Sequence, residues 1–238
     1  MKLKMENKKT IIAIIVVIIL IVALVGIAYF YNSFATKQVK LLTEEANKIL
    51  QSNIATENID FDIKTEKNYA VVEKAIKEYV SKLKNIYVEM NEMNSEINPN
   101  VIFSAQNMQD KNLDEIDTII NDYKEKSKES ITEYEELISE EKITENITTR
   151  NITRRKEYYI NLYNTVMLGD VMKSQYNSLN EKIKDEKGEL YDKLNKIDKI
   201  KKFLEDNNSS WTIKEDKIQF TNLNRMAEYY NLLNQLTD

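Results

Sequence analysis

Between Thr10 and Thr36 the chain carries no charged side chain, and no other feature limits its folding options so tightly. The centre of the stretch, Ile11 to Tyr31, reads IIAIIVVIILIVALVGIAYFY. As a helix, the 27 uncharged residues reach roughly 40 Å at 1.5 Å each. A bilayer's hydrocarbon core is about 30 Å thick, so the segment spans it with length to spare. Tyr29, Phe30, Tyr31 and Phe34 gather at the downstream end, where aromatic rings favour the membrane interface. The alternatives are a buried core helix and a cleaved signal peptide. A helix apolar on every side for this length is rarely a core helix. A signal peptide has an apolar stretch of about 7–15 residues followed by small residues at the cut. Here the stretch is longer, and Ser33-Phe34-Ala35 is the only tolerable cleavage site. Residues 10–34 are therefore expected to form an uncleaved transmembrane signal-anchor helix in the lipid bilayer.

Lysine asymmetry sets the expected orientation. Lys2, Lys4, Lys8 and Lys9 precede the span, while Lys37 and Lys40 follow it and are soon balanced by Glu44 and Glu45. The positive-inside rule puts residues 1–9 in the cytoplasm as a short basic segment and the remainder outside the membrane. The Lys, Asn and Ile bias suits an AT-rich bacterial genome, and in a bacterium an anchored chain so oriented belongs to the cell envelope.

The chain has 3 Gly and 1 Pro in 238 residues, too few turn formers for a sandwich of many short strands. Apolar residues instead recur at three- and four-residue steps, the mark of helices with one buried stripe. Residues 35–52 (Val39, Leu42, Ala46, Ile49) continue the helical pattern out of the membrane. The clearest seam is Tyr69, Val72, Ile76, Tyr79, Leu83, Ile86, Met90, Met93 and Ile97, a heptad a/d pattern ending at Asn98-Pro99-Asn100. A second helix, from Asn112 or Leu113 to Leu137, has Ile116, Ile120, Tyr123 and Tyr134 on its seam. Ser127 and Ser130 make a small-residue layer within it. A third is expected from Ile147 to Leu168, using Ile152, Tyr159, Leu162 and Val166. A fourth follows the boundary at Gly169-Asp170, with Met172, Tyr176, Leu179, Ile183, Leu190, Leu194, Ile197, Ile200 and Leu204.

Two segments read differently. Asn58 to Ile63 alternates apolar and polar residues, which fits a short strand or a loop. Trp211, Ile213, Ile218 and Phe220 flank Lys214-Glu215-Asp216-Lys217 and predict a small β-hairpin. A lone hairpin is marginal in water and must pack on something; the 58–63 segment is one source of a third strand. Asn222 to Leu236 predicts a closing helix with Leu223, Met226, Tyr230 and Leu233 inward. The expected fold class is mainly α: one N-terminal transmembrane helix, a juxtamembrane helix over 35–52, a long-helix antiparallel bundle or coiled coil over 53–205, and a hairpin plus helix over 206–238 packed on it. Several long helices joined by short links favour an intramolecular bundle over an extended dimeric coiled coil.

Composition also excludes chemistry. There is no Cys and no His, which removes disulfides, Cys/His zinc sites and every His-based triad. No phosphate-cradling glycine loop and no Gly-x-Ser-x-Gly elbow is present. Side chains of the first nine residues carry +3, leaving −8 for the rest of a chain whose net charge is −5. That balance argues against nucleic acid as a partner, since such proteins present a basic face. Asp60 and Asp62 are a weak metal suggestion, lacking the Gly and closing Glu of a calcium loop. The run Glu133, Glu135, Glu136, Glu140 and Glu141 reads as a solvated helix face. Asn146-Ile-Thr148, Asn151-Ile-Thr153 and Asn208-Ser-Ser210 match a glycosylation pattern that carries almost no weight in a bacterial protein. Tyr158-Tyr159 and Tyr229-Tyr230 read as half-buried core, with a sugar- or peptide-stacking surface as the alternative.

One charge feature stands out. Arg150, Arg154 and Arg155 are three of only four Arg, with Lys156 adjoining. Guanidinium groups form forked pairs with carboxylates and phosphates. Pairing with the acidic second helix is one reading; contact with an anionic partner is the other. No catalytic residue, cofactor or metal is expected. The function expected is a non-enzymatic protein-interaction or scaffolding module of the cell envelope, whose partner is another envelope protein or the chain itself. The alternative is a sensory or ligand-binding ectodomain acting through a membrane partner, because only about ten residues lie on the expected cytoplasmic side. A membrane-tethered enzyme is a third reading.

Overall fold

The structure is a computed structural model that describes residues 33–109, 113–215 and 217–235. It is mainly helical. In chain order the elements are α1 (Ser33–Gln51), α2 (Asn68–Glu96), the single turn α3 (Pro99–Ile102), α4 (Asp114–Leu137), α5 (Glu140–Thr148), α6 (Lys156–Met167), α7 (Asp170–Asp206), β1 (Trp211–Lys214), β2 (Lys217–Phe220) and α8 (Leu223–Asn234). The expected span over 10–34 lies outside the described residues apart from its last two. Among the described residues, no helix is long and apolar enough to cross a membrane.

The chain packs as two compact units. One takes the described residues up to Val88 together with Thr132–Lys182; the other takes Glu89–Ile131 and the chain from Ile183 on. The α2 seam from Tyr69 to Ile97 is buried at every position, and so is the α7 seam from Met172 to Leu204. The heptads are therefore covered within one chain, as a helical bundle requires. Each fully buried Leu or Ile contributes about 1.5–3 kcal/mol. Truncating Leu83 or Leu190 to Ala is expected to cost about 2–5 kcal/mol, because the neighbours relax only partly into the space. The α7 seam skips a heptad position between Ile183 and Leu190. There Glu186 accepts from the buried Asn94 amide through both its carbonyl and its carboxylate, each at 2.7 Å.

With so few glycines, the helices cannot end on the usual left-handed glycine, and their last carbonyls must find other donors. Side chains from elsewhere in the fold supply them. Gln175 Nε2 donates to the carbonyls of Leu50 and Ser52 at the end of α1. Lys193 Nζ does so for Asn94 near the end of α2. Tyr79 Oη caps Leu137 of α4, Tyr176 Oη caps Met167 of α6, and Trp211 Nε1 caps Leu204 of α7. Lys196 Nζ reaches Gln235 after α8. Helix termination is thus tied to tertiary packing.

Two expectations need correction, the single helix over 147–168 and the inward face of the last helix, and two open readings are decided. The single helix from Ile147 to Leu168 is two, α5 and α6, separated over residues 149–155. The run Ile147-Thr148-Thr149 and the pair Ile152-Thr153 are β-branched, poor helix formers that end α5 without Gly or Pro. Ile152 is buried in the connection and not on a helix. The 58–63 segment is a loop, not a strand: Asp60 Oδ1 accepts from the Asp62 amide in a local turn, and Phe61 and Ile63 are exposed. Among the described residues the sheet has two strands, in antiparallel register Trp211↔Phe220 to Lys214↔Lys217. In α8 the buried ring is Tyr229, while Tyr230 and Leu223 are exposed. Tyr229 fits because Phe220 of β2 and Phe203 of α7 meet it at 5.4 and 6.5 Å between ring centroids. That aromatic cluster is what the hairpin packs on.

Candidate functional site

Two helices, α2 and α6, begin at one place. Lys67, the residue before α2, has φ 57°, and Arg155, the residue before α6, has φ 51°. Left-handed backbone costs a residue with a Cβ roughly 1–2 kcal/mol, and neither position is Gly or Asn. Asn68 Nδ2 donates to the Arg154 carbonyl at 3.1 Å, so the two helix starts are joined. α6 begins with no side-chain cap on its first amides. Uncapped amides and the positive end of the helix dipole make such a start favourable for negative charge.

Between the two starts lies a cavity of about 510 Å³. Lys67, Arg154 and Arg155 stand on its rim, all three exposed. Its other walls are Phe34 and Ala35 from α1, Tyr69 from α2 and Tyr158 and Tyr159 from α6, with Asn68 and Thr153. The tyrosine rings interlock edge to face: Tyr69 to Tyr159 at 5.0 Å and Tyr158 to Tyr159 at 5.1 Å between centroids. Lys67 Nζ sits 4.5 Å from the centre of the Phe34 ring, close enough for cation–π attraction. Among the described residues no carboxylate pairs with Lys67, Arg154 or Arg155, although Arg150, Arg225 and several lysines are so paired. Burial, reinforced by Tyr69, pushes the Tyr159 phenol up to about 12, and burial raises Tyr69 and Tyr158 as well. The three phenols therefore stay protonated at neutral pH. The cavity offers positive charge, rings and hydroxyl groups.

The three arginines singled out in the sequence part company. Arg154 and Arg155 line the cavity, whereas Arg150 Nη1 pairs with Glu78 of α2 at 2.8 Å and its other nitrogens bond to Asn146. Its carboxylate partner is on α2, not on the acidic α4. Lys67 carried no signal in the sequence, and Phe34 read only as a ring at the membrane interface. Tyr69 read only as core, and the Tyr158-Tyr159 pair beside two arginines was the one local hint.

Other clusters prove structural. Asp60 and Asp62 both face Lys64, at 3.6 and 3.1 Å. Glu133, Glu135, Glu136, Glu140 and Glu141 are exposed on α4 and α5. Among the described residues no group of three or more carboxylates is arranged to hold a metal ion. Asn146 of the first glycosylation-like triplet is committed to the Ala75 carbonyl and the Tyr163 hydroxyl. A buried group, Lys77 with Glu45 and Glu73, has every charge answered, and it fastens the 53–67 loop against α1 and α2. Comparison of the chain with protein-family models, curated proteins and solved structures finds no match.

Proposed function

We propose that this chain is a single-pass membrane protein of a bacterial envelope, anchored through residues 10–34, whose helical bundle stands outside the cytoplasm and acts by binding rather than by catalysis. One observation carries the reading. α1, which follows the apolar stretch directly, is a core helix from its second turn on: Gln38, Val39, Leu42, Glu45, Ala46, Ile49 and Leu50 are all buried. No flexible linker separates the expected span from the folded unit. A bundle joined in that way is held at the bilayer surface, which suits a docking or scaffolding part better than a freely swinging domain. The partner would be another envelope protein or a second copy of the chain.

A test of the anchor and its orientation uses the absence of cysteine. Lys4→Cys and Glu129→Cys, the latter an exposed position on α4, are each the sole thiol in the protein. In intact cells a membrane-impermeant maleimide is expected to label Glu129→Cys fully, and Lys4→Cys only after lysis. Labelling of both before lysis, or recovery of the chain in the supernatant after ultracentrifugation, would overturn the reading. A photo-crosslinker beside Arg154 then reports on the partner: a dominant protein adduct supports docking of another protein, and self-adducts support a homo-oligomer. The cavity between the starts of α2 and α6 favours a second reading, a ligand-binding ectodomain acting through a membrane partner.

A further inference from the structure

We infer that the cavity between Lys67, Arg154, Arg155 and the Phe34–Tyr159 rings is a binding site for a phosphate oxyanion that carries an apolar neighbour. Three cations, Lys67, Arg154 and Arg155, line this one cavity. Among the described residues none of the three is neutralised by a carboxylate, while Arg150, only four residues before Arg154, is paired with Glu78. Arginine's planar fork matches two oxygens of a phosphate at once. The start of α6 at this cavity has no side-chain cap, and helix starts with unanswered amides favour phosphates. The rings of Phe34, Tyr69, Tyr158 and Tyr159 form an apolar wall, so a bare ion leaves part of the cavity unused. At about 510 Å³ the cavity is within the range of roughly 300–1,000 Å³ usual for small-ligand sites. Lys67 and Arg155 both hold left-handed backbone at this rim, which places two cations where relaxed helix starts would not.

Two sources carry this chemistry: an anionic lipid headgroup and a soluble phosphate compound. The lipid source rests on the membrane-anchor reading, because Phe34 and Ala35 would then lie where the span meets the headgroups. The soluble source does not depend on it.

The experiment uses full-length protein in phosphatidylcholine nanodiscs and reads phosphorus NMR. Inorganic phosphate is titrated in one arm, and phosphatidylglycerol is added to the disc in the other. Saturable broadening of the added probe is the expected result. Broadening of inorganic phosphate identifies a soluble ligand; broadening of phosphatidylglycerol alone identifies the headgroup. The combined variant Lys67→Asn, Arg154→Gln, Arg155→Asn removes the charge, and Asn is at ease in left-handed backbone. Binding should weaken roughly tenfold or more, with no fall in the thermal midpoint. Arg154→Gln alone, outside the left-handed positions, keeps the test available if the combined variant folds poorly. The inference is overturned if neither probe broadens saturably, or if the charge-free variant binds as the parent does. Cysteine labelling decides the anchor separately, so a failed anchor and a failed anion site are told apart.

Discussion

Lys77 Nζ on α2 lies 2.7 Å from Glu45 Oε2 on α1, both side chains being almost wholly shielded from solvent. The same ammonium also holds Glu73 Oε1 at 2.7 Å and the Asp62 carbonyl at 2.8 Å. Glu73 in turn accepts from the Lys64 and Thr65 amides and the Thr65 hydroxyl. Removing one partner of a buried pair strands the other, at about 3–5 kcal/mol. Lys77→Met is expected to destabilise the protein by that amount at neutral pH, measured by urea unfolding in detergent. A loss below about 1 kcal/mol, the worth of a surface pair, would refute the buried-pair account.

The same cluster predicts acid sensitivity. Burial by itself raises the Glu73 and Glu45 carboxyls, but hydrogen bonds from Lys77, joined by Thr65 at Glu73 and Lys48 at Glu45, more than offset it and hold both below their ordinary value of 4.5. Folded carboxyls of lowered pKa bind fewer protons than unfolded ones near and below pH 4.5. Their contribution is therefore complete above that pH and is lost as pH falls through the folded values. Stability of the parent should decline below about pH 4.5, and more gently in Lys77→Met, whose unpaired carboxyls protonate readily. Parallel acid limbs in the two proteins would count against the linkage.

The turn of the hairpin offers a change of opposite sign. Glu215 has φ 52°, a conformation that Asn and Gly enter far more readily, as two-residue hairpin turns require. Glu215→Asn should raise stability by roughly 0.5–1 kcal/mol, seen as a higher midpoint in a thermal scan. In α7, Gly188 is exposed and a Cβ added there meets nothing within 4 Å. Gly188→Ala should add about 0.5–1 kcal/mol by lowering the entropy of the unfolded chain. No change in either variant would show that the local backbone is not what limits stability.

What the sequence made legible follows period. The seams of α2 and α7 could be read residue by residue because an apolar stripe at heptad spacing has one way to be buried. The Asn98-Pro99 stop and the Gly169-Asp170 boundary were equally plain; Asn98 Oδ1 accepts from the Asn100 amide, and Pro99 opens α3. The break between α5 and α6 was legible only at its first edge, where β-branched residues end α5; the start of α6 was not, because Arg155 takes a left-handed conformation that no propensity favours. Tyr229 and Tyr230 both read as half-buried, and the helical stripe favoured Tyr230; Tyr229 goes inside because of its partners, Phe203 and Phe220, which are distant in sequence. The cavity was half legible: Arg154 and Arg155 stood out by rarity, but Lys67 and Phe34 join them only through folding.

Two buried tyrosines that each bond a carbonyl are expected to differ in worth. Tyr134 Oη donates to the Tyr176 carbonyl at 2.6 Å, and Tyr176 Oη donates to the Met167 carbonyl at 3.0 Å. The Tyr176 carbonyl lies inside α7, where the helix supplies its own donor, so Tyr134→Phe forfeits an extra bond and costs about 1 kcal/mol. Met167 is the last residue of α6, and its carbonyl has no donor within that helix. Tyr176→Phe leaves that oxygen buried and unanswered, which costs about 1–3 kcal/mol. Urea unfolding of the two variants should therefore place Tyr176→Phe below Tyr134→Phe. The reverse order would mean that the end of α6 is satisfied by some other group, and that side-chain capping of helix ends is not what replaces glycine in this fold.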